Sequence, residues 1–395
     1  MNNIDELITP CYIINEAEYE KNIQELMQAY ESRWPGKVEY GYSVKTNHFP
    51  LMLKKALEYG WHAEVVSPDE YEFALSCGAE KGQIIYNGPQ KRETVLSAIR
   101  EGSLVNLDNL QEVELICRAL DETEKKQAKV GIRVNFDLEK ECPGETTCKG
   151  IVGRFGICYE NGDVKRAIDT LQQARIKVRG LHLHSSSSSR SRGIFRAISE
   201  KACEVMEKYQ LTDLEYIDVG GGFFGGNYFP GKPTVQEYAE TITDVLKERL
   251  DRPEEITLLL EPGAAVLATS MDYLVSVLNE REIRGKRVIT VDGSLLHINP
   301  MMNPHETPFE MLHPGEETEE EQIIGGSTCM EMDRFLPRGL KNRVLPESKL
   351  RFFCCGAYMS THNSSFINAA PNIYLYEDGE YRLVREKKPI QMMEY

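Results

Sequence analysis

Residues 38–47 read Val38-Glu39-Tyr40-Gly41-Tyr42-Ser43-Val44-Lys45-Thr46-Asn47. A run rich in aromatic and β-branched residues, closed by a polar turn, predicts a strand over 38–44. It ends in a lysine. Similar short apolar runs recur at 63–66, 84–86, 104–105, 129–134, 178–184, 216–219 and 257–260. Helical spacing of apolar residues predicts helices over 16–32, 50–58, 68–77, 91–101, 110–122, 162–174, 196–209 and 235–250. Strand and helix therefore alternate from about residue 23 to 265. This pattern predicts an α/β fold, a (β/α)8 barrel whose active site lies at the carboxyl ends of parallel strands.

The texture changes after residue 265. Runs at 273–278, 287–292, 351–355, 373–376 and 381–386 are β-like, and Asp378-Gly379 is a hairpin signal between the last two. Residues 1–22 with 266–395 are expected to form a second, mostly β domain of sandwich or barrel type, with 10–14 adding a strand. The nearly all-Glu run 316–321 reads as a solvated loop.

Of 395 residues, 41% are hydrophobic and 27% charged, an ordinary soluble mix. The net charge of −16 argues against nucleic acid or a membrane surface as partner. The N-terminus lacks a signal-peptide pattern. Residues 258–278 fail as a membrane span because Glu261, Pro262 and Asp272 interrupt them. Ten cysteines lie scattered without CxxC spacing, as expected for reduced thiols in the cytoplasm.

Several unusual features fall at predicted strand ends. Lys45 would be partly desolvated there, which lowers an amine's pKa and makes it a nucleophile; taken alone, it reads more simply as a snorkelling surface lysine. Gly220-Gly221-Gly222 after Asp218-Val219 can turn backbone N–H groups toward one phosphate; a tight structural turn reads equally well. His182 and His184 alternate onto one face of their strand. No third ligand at convincing spacing supports a metal there, so none is expected. A flat imidazole against an aromatic ring, with hydroxyls from Ser185–Ser189 on a phosphate, fits better than a linker. Glu261 follows three leucines and precedes Pro262-Gly263. Such a carboxylate is costly to bury without a partner, and a protonated pyridine nitrogen would be one; an ordinary loop carboxylate is the plain alternative.

Together these motifs resemble the fold-type III pyridoxal-phosphate (PLP) decarboxylases, the group of diaminopimelate, ornithine and carboxynorspermidine decarboxylases. The resemblance covers nearly the whole chain, in order. Residues 42–47, 64–70, 87–91, 153–156, 180–184, 220–222, 261–263, 326–329 and 356–358 carry it. It implies an alanine-racemase-like barrel with a C-terminal β domain, and pyridoxal 5′-phosphate held on Lys45 as a Schiff base. By resemblance, His184 stacks on the ring, Ser187, Gly220, Gly221, Gly222, Gly263 and Tyr358 hold the phosphate, and Glu261 meets the ring nitrogen. Glu64 lines the substrate side. Cys329 reaches into a partner's site in a homodimer with shared active sites. It is then the leading proton donor to Cα, with Lys45 the other.

The implied reaction is decarboxylation of a basic or diamino acid, or a carboxylated polyamine, through an external aldimine, in amino-acid or polyamine metabolism. A racemase of the same fold is the nearer alternative, but Glu261 argues against it, since racemases of this fold place arginine at the ring nitrogen. A non-catalytic PLP-binding protein is a single barrel and lacks the domain carrying Cys329 and Tyr358. Departures concern the substrate. Met330 stands where diaminopimelate and ornithine decarboxylases carry an acid after the cysteine, with Glu331 and Asp333 as nearby candidates, and Ala264 replaces a common arginine. The expected substrate is therefore neither free ornithine nor meso-diaminopimelate.

Overall fold

The computed structural model describes residues 1–146, 152–185, 187, 189–225, 231–302, 305–359, 361–362 and 366–388. The chain forms two compact units, one of residues 23–225 with 229–265, the other of 1–22, 226–228 and 266–395. The first strand, β1 (Cys11–Asn15), belongs to the second unit.

The larger unit contains β2 (Val38–Ser43), β3 (His62–Val65), β4 (Ile84–Tyr86), β5 (Leu104–Leu107), β6 (Val130–Asn135), β7 (Ile157–Cys158), β8 (Val178–His182), β9 (Tyr216–Asp218) and β10 (Thr257–Leu260). All pairings are parallel. The order β2-β3-β4-β5-β6-β8-β9-β10 closes where β10 pairs β2, and β7 hangs from β6. This is the expected eight-stranded barrel. Strands buried on both faces need near-continuous apolar sequence, and Leu258, Leu259 and Leu260 of β10 are fully buried. At roughly 1.5–3 kcal/mol for each fully buried leucine, β10 is a strong contributor to closure.

Local signals set the connecting helices. Ser67 caps Pro68–Ser76, accepting from Glu70 N at 3.2 Å, and Pro68 takes the first helical position, where its missing N–H is harmless. The helix expected over 91–101 begins only at Thr94. Lys91 is instead fully buried, donating to Gly88 O and pairing with Glu112 at 3.1 Å. The helix expected from 196 starts earlier, at Arg192. β8 stops at His182 rather than 184, and the two-residue β7 had no apolar run to announce it.

The second unit is a nine-stranded mixed sheet. It contains β1, β11 (Met271–Ile283), β12 (Lys286–Val291), β13 (Phe309–Leu312), β14 (Gln322–Gly325), β15 (Arg334–Phe335), β16 (Lys349–Phe352), β17 (Asn372–Glu377) and β18 (Glu380–Arg385). Its path runs β15-β14-β12-β11-β1-β17-β18, with β16 joining β11 to β13. Asp378 and Gly379, both at positive φ, turn β17 into β18. β13 and β14, short and flanked by polar residues, were not visible in the sequence. Glu316, Glu317, Glu319, Glu320 and Glu321 are exposed. Among the described residues no helix is long and apolar enough to cross a membrane.

Candidate active site

The carboxyl ends of the barrel strands carry a concentration of buried polar side chains. Lys45 lies just past β2. Its Nζ pairs directly with Glu64 Oε2 of β3 and donates to Ser43 Oγ at 2.8 Å. Ser43 Oγ donates to the same carboxylate oxygen at 2.7 Å. The Glu64 side chain is 1% exposed, whereas that of Lys45 is 37% exposed. An amine is thus presented at the mouth while its counter-charge stays inside. Burial pushes the Glu64 carboxyl up, but the Lys45 charge and the hydrogen bonds from Lys45, Ser43 and Asn87 outweigh it, and the group sits below its ordinary range.

Glu261, directly after β10, behaves oppositely. Burial, then the charges of Asp218 and Glu64, hold its pKa well above the usual carboxylate range. Asp218, at the end of β9, is pushed up to about 7, first by burial. Two buried acids this close cannot both ionise cheaply, so they retain a proton between them. Asp218 Oδ1 accepts from Gly220 N at 2.8 Å, which ties the carboxylate to the glycine turn.

His182 has both ring nitrogens buried without a hydrogen-bond partner, and its Nε2 lies 3.6 Å from Glu261 Oε2. Ligand atoms of His182, Asp218 and Glu261 all lie within 4.8 Å of one another. The sequence offered no third ligand at convincing spacing beside His182; the fold brings two carboxylates there. They come from different strands, so sequence spacing could not reveal them. His184 stacks on His182 with ring centroids 6.5 Å apart and an interplanar angle of 22°. Its Nδ1 accepts from Gly221 N at 3.3 Å. Burial, then the charges of Arg133 and Lys45, lower its pKa to about 3. It is therefore a neutral ring at physiological pH, with the proton on Nε2.

Two close approaches explain the glycines. A Cβ on Gly221 would lie 2.1 Å from Glu261 O, and one on Gly263 would lie 2.4 Å from Thr46 Oγ1. Thr46 Oγ1 is buried and has no hydrogen-bond partner among the described residues, as is Arg133 Nε on β6. Orphaned buried polar atoms are expensive, and here they cluster beside a lysine amine, a half-buried imidazole and a turn of backbone N–H groups. This donor set fits a phosphorylated pyridine aldehyde.

Ser187 forms an isolated bridge with Thr146, and its Oγ accepts from Arg190 N at 2.9 Å. Of the serine run, Ser186 and Ser188 lie outside the described residues. In the second unit, Cys329 is exposed and Tyr358 is 38% exposed. Met330 is half-buried, and Glu331 is exposed and bridged to Arg334 at 3.2 Å. Asp333 departs from its expected place among the substrate readers. It is buried, and its carboxylate accepts from Leu295 N at 2.7 Å, Thr328 N at 3.1 Å and Thr328 Oγ1 at 2.6 Å. Those donors make it the staple of the loop that carries Cys329.

Sequence reasoning passed over Asn106 and Arg133. Each was detectable as a polar residue with apolar neighbours on both sides in its strand, Leu104–Leu107 and Val130–Asn135.

Comparison with known proteins gives the family. Residues 20–268 match the family described as pyridoxal-dependent decarboxylase, pyridoxal binding domain. Diaminopimelate decarboxylase of Zymomonas mobilis is 24% identical over 97% of this chain and 91% of its own length. The chloroplastic ornithine decarboxylase of Nicotiana glauca is 24% identical over 90% of this chain and 81% of its own. The crystal structure of diaminopimelate decarboxylase from M. jannaschii with L-lysine superimposes with a TM-score of 0.84 at 23% identity, covering 96% of this chain and 90% of that one. With a lysine, a glycine turn and a buried acid at the strand ends of the matched region, the chain belongs to the pyridoxal-dependent decarboxylase family.

Proposed function

We propose that the protein decarboxylates a basic or diamino acid on pyridoxal 5′-phosphate held by Lys45. The observation that carries this reading is the opposed pair of carboxylates, Glu64 charged beside the Lys45 amine and Glu261 retaining a proton deep in the barrel. The chemistry such a cofactor supplies is an electron sink for the pair left at Cα when CO2 departs. The chain's own groups set the conditions. Glu64 and Ser43 orient the Lys45 nitrogen. Glu261, sharing its proton with Asp218, offers that proton to a ring nitrogen and remains as the counter-charge. His184, neutral and fixed through Gly221, gives a flat face for stacking. Residues 220–222, with Gly263 and Ser187, hold phosphate oxygens.

Cys329 of one subunit of a homodimer returns a proton to Cα in the other subunit's site, with Lys45 the alternative donor. The family resemblance supports this, as does the exposure of Cys329. The related diaminopimelate and ornithine decarboxylases support the substrate class. Met330 and the exposed Glu331 support a substrate other than free ornithine or meso-diaminopimelate. Residues 23–265 form the cofactor-binding domain in this reading, and 1–22 with 266–395 the partner-facing one. All nine described cysteines are free thiols, which supports a reducing, cytoplasmic setting.

Borohydride reduction of the purified protein should fix PLP on the Lys45 peptide, and CO2 should be released from a basic amino acid in a panel of L-lysine, L-ornithine, meso-diaminopimelate and carboxynorspermidine. Label on another lysine, or a panel without CO2 release, would reject the proposal. For ornithine and diaminopimelate, kcat/KM should stay below about 10⁴ M⁻¹s⁻¹.

A further inference from the structure

Between Glu64 and Glu261 stands a residue to which the reaction as described gives no role. Asn87 follows β4 and is 1% exposed. Its Nδ2 donates to Glu64 Oε1 at 3.2 Å and to Glu261 Oε1 in a second, shorter bond. One amide nitrogen thus bridges both carboxylates. Its orientation is dictated from below. Tyr216 OH donates to Asn106 Oδ1 at 2.6 Å, which turns Asn106 Nδ2 toward Asn87 Oδ1 at 2.9 Å and Asp218 Oδ2 at 3.3 Å. Asn87 Oδ1 is thereby committed as an acceptor, and its two N–H bonds must face the acids. Reversing either amide would set oxygen against carboxylate or N–H against N–H.

We propose that Asn87 is a positioning residue that couples the lysine end of the site to the ring-nitrogen end, held in its working orientation by the ladder Tyr216–Asn106. This rests on the reading of Lys45 and Glu261 given above. The charged and titratable groups facing the two acids include Lys45, Glu70, Arg133, His182, His184, Tyr216 and Asp218. Among them Asn87 supplies neutral donors to both acids at once. A donor to a carboxylate favours its charged form. Without Asn87, Glu64 takes up a proton more readily and supports positive charge on the Lys45 nitrogen less. That nitrogen then loses its own proton at lower pH.

The test is a spectroscopic pH titration of the PLP-loaded protein, reading the visible band of the protonated Lys45 Schiff base, together with PLP dissociation constants. Asn87→Ala should lower the midpoint by about one unit or more, equivalent to a tenfold weaker hold on that proton. It should also weaken PLP binding severalfold. Tyr216→Phe keeps the ring, removes only the hydroxyl that orients the ladder, and should shift the midpoint the same way by a smaller amount. A purely structural Asn87 would lower thermal stability and leave the midpoint where it is; that result overturns the inference. If Asn87→Ala does not fold, an unmoved midpoint in Tyr216→Phe overturns it equally. A wild-type protein without the Lys45 band would instead reject the underlying reading, and this inference with it.

Discussion

Glu261 and Asp218 show how much a residue's chemistry depends on neighbours from other strands. In the sequence Glu261 is a carboxylate after three leucines. In the fold, burial and two further carboxylates make it an acid that keeps its proton. Glu261→Gln should retain PLP yet slow turnover by about 10²-fold or more, the scale of losing one aligned charged group; single-turnover CO2 release measures it, and near-normal turnover would remove Glu261 from the role. The raised pKa of Asp218 also has a stability signature in cofactor-free protein. The unfolded chain sheds this proton near 3.8, whereas the folded one holds it to about 7. Between those values the unfolded state binds fewer protons, so this group's contribution declines as pH rises, by at most ~1.4 kcal/mol per pH unit. The stability difference between wild type and Asp218→Asn, from urea midpoints at several pH values in that window, should therefore move against the wild type with rising pH. A pH-independent difference would contradict the shared proton. Lys45, His184 and Glu261 stood out in the sequence as chemistry at strand ends, and Glu64 through the family resemblance. Asn106 and Arg133 did not declare their partners, because those lie on distant segments, and the same holds for the bond that Asp333 accepts from Leu295.

At the scale of elements, strands and helices were legible wherever burial imposed a simple period. β10 is the clearest case. Leu259 packs with Ile85 and Tyr216, drawn from β4 and β9. Leu259→Ala should cost about 2–5 kcal/mol, read as a lower urea midpoint; a loss under about 1 kcal/mol would show that the cluster closes around the gap. The helix Val235–Arg249 begins with a capping box, Thr234 Oγ1 accepting from Glu237 N at 3.2 Å and Glu237 Oε2 from Thr234 N at 2.8 Å. Thr234→Ala should cost ~1 kcal/mol, measurable in the same way, with little effect on PLP binding. Boundaries were less legible. Lys91 has helical neighbours in sequence, but its buried pair with Glu112 holds it out of the helix. β7 has only two residues, and β13 and β14 are mostly half-buried, so burial imposes no clear period on them.

For the molecule as a whole, the proposed homodimer makes a prediction that no single chain can satisfy. Lys45→Ala and Cys329→Ala chains, each inactive, should regain partial activity when mixed, because one of the two hybrid sites recovers both residues. Verified heterodimers without recovery would reject sharing of sites. The sequence by itself determined the barrel, the mostly β second sheet and the strand-end positions of Lys45 and Glu261, since burial periodicity and turn chemistry are local and are written residue by residue. Only the tertiary structure decided that Glu64 is ionised while Glu261 keeps a proton, that Asn87 joins them, and that Asp333 fixes a loop. Those outcomes depend on desolvation and on charges a few ångströms apart, and such distances are set by barrel closure, which brings together residues far apart in the chain.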